Sequence, residues 1–335
     1  MGVWTRIKET LARWFRLESS PGRYVAGAAF AWRGWLSTNP TVWPRRKYLL
    51  YVPKGASRFR AMPLIVLLHG CKQTPEDIAR GTRVAALADR LGSYVLLPRQ
   101  KASANPYGCW NWFDEATARG RGEAEIVAAM MRKATRWRRT DARRTAAMGM
   151  SAGAALAAIL GVRHGDRIRA VVSVAGIACG AAASPFAALT VMKRGPETDV
   201  AAIGRDAIRA EGDGSRRTPL LAIHGRADDV VASRNAAALV RQFLARNGAD
   251  VPGGSESTLP DPDHARHESP LRGHGFRVRE WEADGELLAR LVEVDDLGHA
   301  WSGGDATLPF HDRAGPDATA LAGAFLEIVW RRGQG

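Results

Sequence analysis

The chain has 335 residues, 46% of them hydrophobic, which is ample for a large core, and an α/β sheet of this size is commonly one domain. Its 48 Lys and Arg outnumber 34 Asp and Glu for a formal charge of +14. Such a charge raises nucleic acid or an anionic membrane as partners. No zinc-finger spacing, RNP-like aromatic pattern or Gly-rich phosphate loop accompanies it, so the arginines are read as solvated surface and no nucleic acid is expected. No apolar run reaches the length of a membrane span, and three cysteines are too few for a disulfide scaffold.

Residues 1–40 are loosely patterned and read as an N-terminal segment of helix plus connector; residues 41–335 read as a single domain. Arg6, Lys8, Arg13 and Arg16 alternate with apolar positions. That pattern suits a small amphipathic helix better than a secretion signal, so a cytoplasmic location is expected. Arg46–Pro53 has strand character, and Pro63–Leu68 is a continuous apolar run, the mark of a strand covered on both faces. Glu76–Leu91 reads as a helix with Thr74 as N-cap and Pro75 in its first position. Tyr94–Leu97 is a short strand and Gly122–Arg139 a helix. Thr145–Gly149 is a buried strand, followed by a helix from Ala152 to Leu160 rich in strong helix formers. Ala170–Ala175 and Pro219–His224 are further buried strands. Ser233–Asn247 and Asp317–Arg331 are helices, and Phe276–Trp281 and Glu286–Val294 flank a hairpin signal at Asp284-Gly285.

Strands alternating with helices predict a doubly wound, mostly parallel sheet with helices on both faces. Two stretches break the rhythm. Residues 176–217 carry helical patterns at 186–192 and 200–210 and are expected to give partial cover. Residues 249–272, rich in Gly, Pro, Ser, Asp and His, read as a mobile loop.

Gly149-Met-Ser-Ala-Gly153 is a G-x-S-x-G sequence between a strand and a helix. This is the setting of a nucleophile elbow, in which small flanking residues permit a turn tight enough to present Ser151. A serine hydroxyl needs a base to take its proton, and the base needs an acid to fix its tautomer. His299, in the Gly-flanked Leu297-Gly-His-Ala-Trp301, is the candidate base. Asp228 is the candidate acid, just past a buried strand end, with Asp229 as its rival. The backbone N–H groups of Ala152 and Cys71 are candidate donors to an oxyanion, the second from the strand-end turn His69-Gly70-Cys71. Trp110, Trp112 and Trp301 offer flat walls for an acyl or aryl group. Cys71 and Cys109 both fall near this rim; a bridge is open to them, while a reducing cytoplasm favours the thiols. His264-x-x-His267 lacks a suitably spaced third ligand, so no metal and no organic cofactor is expected.

Taken in order, Leu68-His-Gly-Cys-Lys-Gln-Thr74, Gly108-Cys-Trp-Asn-Trp-Phe113, the elbow, His224-Gly-Arg-Ala-Asp228, Leu297-Gly-His-Ala-Trp-Ser-Gly-Gly304 and Asp312-Arg-Ala-Gly-Pro-Asp317 resemble the poly(3-hydroxybutyrate) depolymerase family of esterases over about residues 45–330. The resemblance implies an α/β-hydrolase, with Ser151, Asp228 and His299 as triad and Cys71 as oxyanion residue. It implies a carboxylic ester hydrolase acting on short polyesters, 3-hydroxyacid oligomers, or acyl and aryl esters. The family's secreted members carry a signal peptide, a Ser/Thr-rich linker and a polymer-binding domain. None is seen in this sequence, which favours soluble oligomers or small esters as the expected substrates. Thioesterase, peptidase or acyltransferase chemistry would use the same triad, and a basic binding protein with a vestigial site is the reading from another class.

Overall fold

The computed structural model of the chain describes residues 22–31, 45–57, 59–136, 138–212, 216–254 and 258–332. The amphipathic helix expected at the N-terminus lies outside them. One sheet of 10 strands organises the described residues. In chain order the strands are β1 (Arg23–Phe30), β2 (Arg45–Val52), β3 (Met62–Leu68), β4 (Tyr94–Pro98), β5 (Thr140–Met150), β6 (Ala170–Val174), β7 (Leu220–Gly225), β8 (His264–Glu268), β9 (Phe276–Ala283) and β10 (Glu286–Val294). Their lateral order is β1-β2-β4-β3-β5-β6-β7-β10-β9-β8. The six central strands, β4 to β10 in that order, pair in parallel; the outer strands on each side are antiparallel.

The apolar run at β3 is buried at every position. Leu64, Val66 and Leu68 face one core, and Ile65 and Leu67 the other. Each such side chain contributes about 1.5–3 kcal/mol by leaving water. One core receives Ile126 and Met130, Leu156 and Leu160, and Leu239 and Phe243 from the helices Gly122–Thr135, Ala152–Arg163 and Arg234–Arg246. The other receives Ile78, Val84 and Phe325 from Pro75–Thr82, Val84–Leu91 and Ala318–Arg332. Layers on both faces are what allow a parallel sheet to be apolar throughout.

Three sequence expectations change. The stretch around Val25 is a strand rather than helix or connector: β1 pairs antiparallel with β2 from Arg23↔Val52 to Phe30↔Arg45. The expected mobile loop contains β8, which pairs with β9 although all five of its residues are exposed. The helix expected over residues 76–91 is two helices broken at Arg83, whose φ is 54°. Thr74 caps the first of them in a reciprocal capping box with Asp77, and the Thr82 carbonyl at the break accepts the Thr319 hydroxyl at 2.7 Å. The β9–β10 hairpin turns at Asp284 and Gly285 with φ of 54° and 72°, both positive as a type I′ turn requires.

Candidate active site

From β3 the chain crosses to β4 on one side, and from β5 to β6 on the other, so the winding reverses between these neighbours. In a doubly wound sheet the crevice at such a reversal, beyond the carboxyl ends of the strands, is where ligands bind. Register pairs Leu68 with Gly149, which sets the turn after β3 beside the turn after β5.

The second turn is the elbow. Ser151 has φ 55° and ψ −123°, a conformation L-residues adopt only under constraint. Its N–H is held by the Val174 carbonyl at 2.9 Å. The flanking glycines are required by contact: a Cβ on Gly149 would stand 2.5 Å from the Gly153 backbone, and one on Gly153 2.3 Å from the Leu68 carbonyl oxygen. A Cβ on Gly70 would lie 3.5 Å from that of Ser151, so the first turn abuts the serine. Within that turn the Gly70 amide donates to Gln73 Oε1 at 2.8 Å, the Lys72 amide to the Tyr107 carbonyl at 2.8 Å and the Gln73 amide back to the Gly70 carbonyl at 3.4 Å. The Cys71 amide has no acceptor among the described residues.

Cys71 and Cys109 are bridged, with Cα atoms 4.2 Å apart, the one of the two states left open by the sequence that a reducing cytoplasm would disfavour. The Lys72–Tyr107 bond and the Trp110 indole, which donates to the His69 carbonyl at 3.1 Å, lay the two loops side by side and bring the sulfurs into reach.

Asp228 and His299 meet from separate loops. A Cβ on Gly225 would fall 2.1 Å from the Leu297 carbonyl oxygen, and the Ala227 amide donates to that same oxygen at 3.1 Å, so the loops after β7 and β10 are docked. His299 Nδ1 lies 2.7 Å from Asp228 Oδ2. A carboxylate only accepts, so Nδ1 carries the proton and Nε2 is left as the basic nitrogen. Asp228 Oδ1 accepts the Val230 and Val231 amides at 2.9 and 2.8 Å. Burial works against its charge, but the hydrogen bonds from His299 and the Val231 amide outweigh it and hold the carboxyl below the usual range. Asp229 is exposed; it is Asp228 that turns inward. His224 also touches this carboxylate: its buried Nε2 donates to the Val231 carbonyl at 2.7 Å and stands 3.6 Å from Asp228 Oδ2. Burial pushes its pKa down, keeping it neutral.

The helix Pro185–Arg194, within the stretch expected as partial cover, lies against the acid's loop. Lys193 Nζ donates to the Asp229 carbonyl, and the Ala232 amide to the Met192 carbonyl at 2.8 Å.

The tryptophans are core rather than substrate walls in this structure. Trp110 and Trp301 are 0% exposed and Trp112 is 5%. Trp301 donates its indole N–H to Thr319 Oγ1 at 3.1 Å, and Trp112 meets Phe113 edge to face. Trp110 thus ties its loop to the turn after β3, and Trp301 ties the His299 loop to the helix Ala318–Arg332. Half-buried Phe310, edge-on to His299 at 6.2 Å between ring centroids, is the aromatic beside the candidate base, and no sequence motif singled it out.

The sequence profile described as Esterase PHB depolymerase matches residues 46–258. The chain belongs to this family. The matched span includes Cys71, Ser151 and Asp228; His299 lies beyond it. Among curated relatives, poly(3-hydroxyalkanoate) depolymerase C of Paucimonas lemoignei is 27% identical over 278 residues, 82% of this chain and 62% of that protein. The chain thus spans less than two thirds of that relative's length. Feruloyl esterase B of Neurospora crassa is 28% identical over 230 residues, 64% of this chain and 76% of its own. In fold, the chain is similar to an acetyl xylan esterase from Aspergillus awamori, with a TM-score of 0.65 at 18% identity over 83% of this chain and 94% of that one. This esterase-family chain therefore has the α/β-hydrolase architecture expected from its motifs.

Proposed function

We propose that the protein is a serine carboxylic ester hydrolase that works through an acyl-enzyme, on 3-hydroxyalkanoate oligomers or small acyl and aryl esters. The observation that carries this reading is the 2.7 Å bond from His299 Nδ1 to Asp228 Oδ2, made by the residues that the strand ends and the elbow single out. His299 Nε2 takes the Ser151 proton as the hydroxyl attacks the ester carbonyl. The carbonyl oxygen becomes an oxyanion, to which the Cys71 and Ala152 amides donate. His299 then protonates the leaving alcohol. Water, deprotonated by the same imidazole, releases the acid and restores the serine. The depolymerase and feruloyl esterase relatives support the ester bond as the target and both substrate classes.

The test is hydrolysis of p-nitrophenyl esters of increasing acyl length, beside 3-hydroxybutyrate oligomers, by wild type and Ser151→Ala. Turnover is expected to fall by at least about 10⁴-fold in the variant with the melting temperature preserved. A folded Ser151→Ala that still turns over ester refutes the assignment. The Cys71–Cys109 bridge favours an oxidising compartment over the cytoplasm expected from the sequence. Mass-detected alkylation of free thiols in freshly lysed cells distinguishes the two.

A further inference from the structure

Behind the turn that carries Cys71 lies a buried polar knot for which the acyl-transfer steps have no use. Glu123, at the start of the helix Gly122–Thr135, is 0% exposed. Its Oε2 accepts the Asn111 amide at 2.7 Å, and its Oε1 accepts Gln100 Nε2 at 2.6 Å and Asn111 Nδ2 at 3.2 Å. Arg46 Nη2 stands 3.7 Å from Oε1. Burial raises the pKa of Glu123 against the pull of these donors, and burial lowers that of Arg46. A buried ion pair is a poor device for stability, because desolvation cancels most of its Coulomb gain. Position is what this one supplies.

Two routes lead from Glu123 to the peptide group between Gly70 and Cys71. Along the first, the Gln100 backbone N–H donates to His69 Nε2 at 3.1 Å. That fixes the His69 tautomer with its proton on Nδ1, which donates to the Gly70 carbonyl at 2.8 Å. The Gly70 carbonyl and the Cys71 N–H belong to one planar trans peptide and point in opposite directions, so anchoring the oxygen aims the N–H. Along the second, Gln100 Nε2 also donates to the Cys109 carbonyl at 2.9 Å, and Glu123 holds the Asn111 amide. These bonds fix the loop whose Cys109 is bonded to Cys71.

We propose that Glu123 is a positioning residue that aims the Cys71 amide at the oxyanion, through Gln100 and His69 on one side and the Cys71–Cys109 bridge on the other. The proposal rests on the reading of Cys71 as an oxyanion donor. Every polar group facing Glu123 is a donor, so Glu123→Gln keeps the shape and sets an N–H₂ against at least one of them. With p-nitrophenyl butyrate, kcat is expected to fall about 10-fold or more, short of the 10²–10³-fold that follows outright loss of an oxyanion donor. KM stays within about twofold, because the ground-state carbonyl does not need the donor. Reduction of the bridge is expected to lower kcat further in Glu123→Gln than in wild type, since the two supports back each other. If Glu123→Gln does not accumulate folded, Asn111→Ala at a half-buried position carries the same comparison, with a smaller loss. A lower melting temperature with unchanged kcat, or equal fold-losses on reduction in both proteins, overturns the proposal. Equal turnover by wild type and Ser151→Ala refutes the parent reading instead, and this one with it.

Discussion

At the residue scale, the two oxygens of Asp228 have different duties. Oδ1 fixes the turn by accepting the Val230 and Val231 amides, and Oδ2 fixes His299, the proposed base. Asn at this position has one oxygen. If it keeps the turn, its N–H₂ faces His299 Nδ1 and forces the proton onto Nε2, where the imidazole can no longer accept from Ser151. Asp228→Asn is therefore expected to fold normally and to lose about 10³–10⁴-fold in kcat, the size of effect produced by a wrong tautomer. Steady-state kinetics beside the thermal melt checks this; wild-type kcat in the variant removes Asp228 from the triad. Asp229→Asn, at an exposed side chain, is the matched control.

At the element scale, contacts between loops assemble the site, and glycines permit those contacts. Gly225→Ala drives a Cβ to 2.1 Å from the Leu297 oxygen, and that oxygen is backbone. The loops bearing Asp228 and His299 must part. A stability loss of about 1–3 kcal/mol is expected, with a fall in kcat. Gly298→Ala, where a Cβ meets nothing within 4 Å, should leave the melting temperature near wild type. Equal melting temperatures for the two variants contradict the docking argument. The same scale explains what the sequence made legible. β3 and β5 to β7 announce themselves as apolar runs because they are covered on both faces. The β9–β10 hairpin is legible from Asp284-Gly285. β8 carries no apolar face to find: His264-Ala-Arg-His-Glu268 is exposed throughout and is a strand only because β9 offers it an edge. Ser151, Asp228 and His299 stand at strand ends, where motif and position agree. The Glu123 knot draws on residues 46, 100, 111 and 123, and no local pattern links positions so far apart. The tryptophans misled for a related reason: a ring's neighbours in sequence do not reveal which of its faces is covered.

At the scale of the whole molecule, buried neutral histidines couple stability to pH. Burial, partly offset by its bond to Gly70, lowers the pKa of His69 to about 4. The unfolded chain takes that proton near pH 6.5, and the native state refuses it until about pH 4. The unfolded state therefore binds more protons across this window, and stability falls as pH falls through it. About 3 kcal/mol is fully present above pH ~6.5 and lost by pH ~4. His224 shifts in the same direction. Urea midpoints at pH 7.5, 6, 5 and 4 should decline, and a flat profile contradicts the assignment of both rings as buried and neutral.

Among the described residues, β8 is the last strand on one side of the 10-stranded sheet, and no further strand pairs with its outer edge. An unpaired rim is a template for another chain's backbone, and natural edges discourage this with charge. Here Arg266 and Glu268 form an ion pair on β8, and His267 reaches across to Asp295. A chain bearing valine at positions 266 and 268 would present a bare pairing edge, and its first symptom would be sedimentation rather than lost catalysis. The polar character of residues 264–268 thus bears on whether copies of the chain pair edge to edge, separately from the chemistry proposed at Ser151.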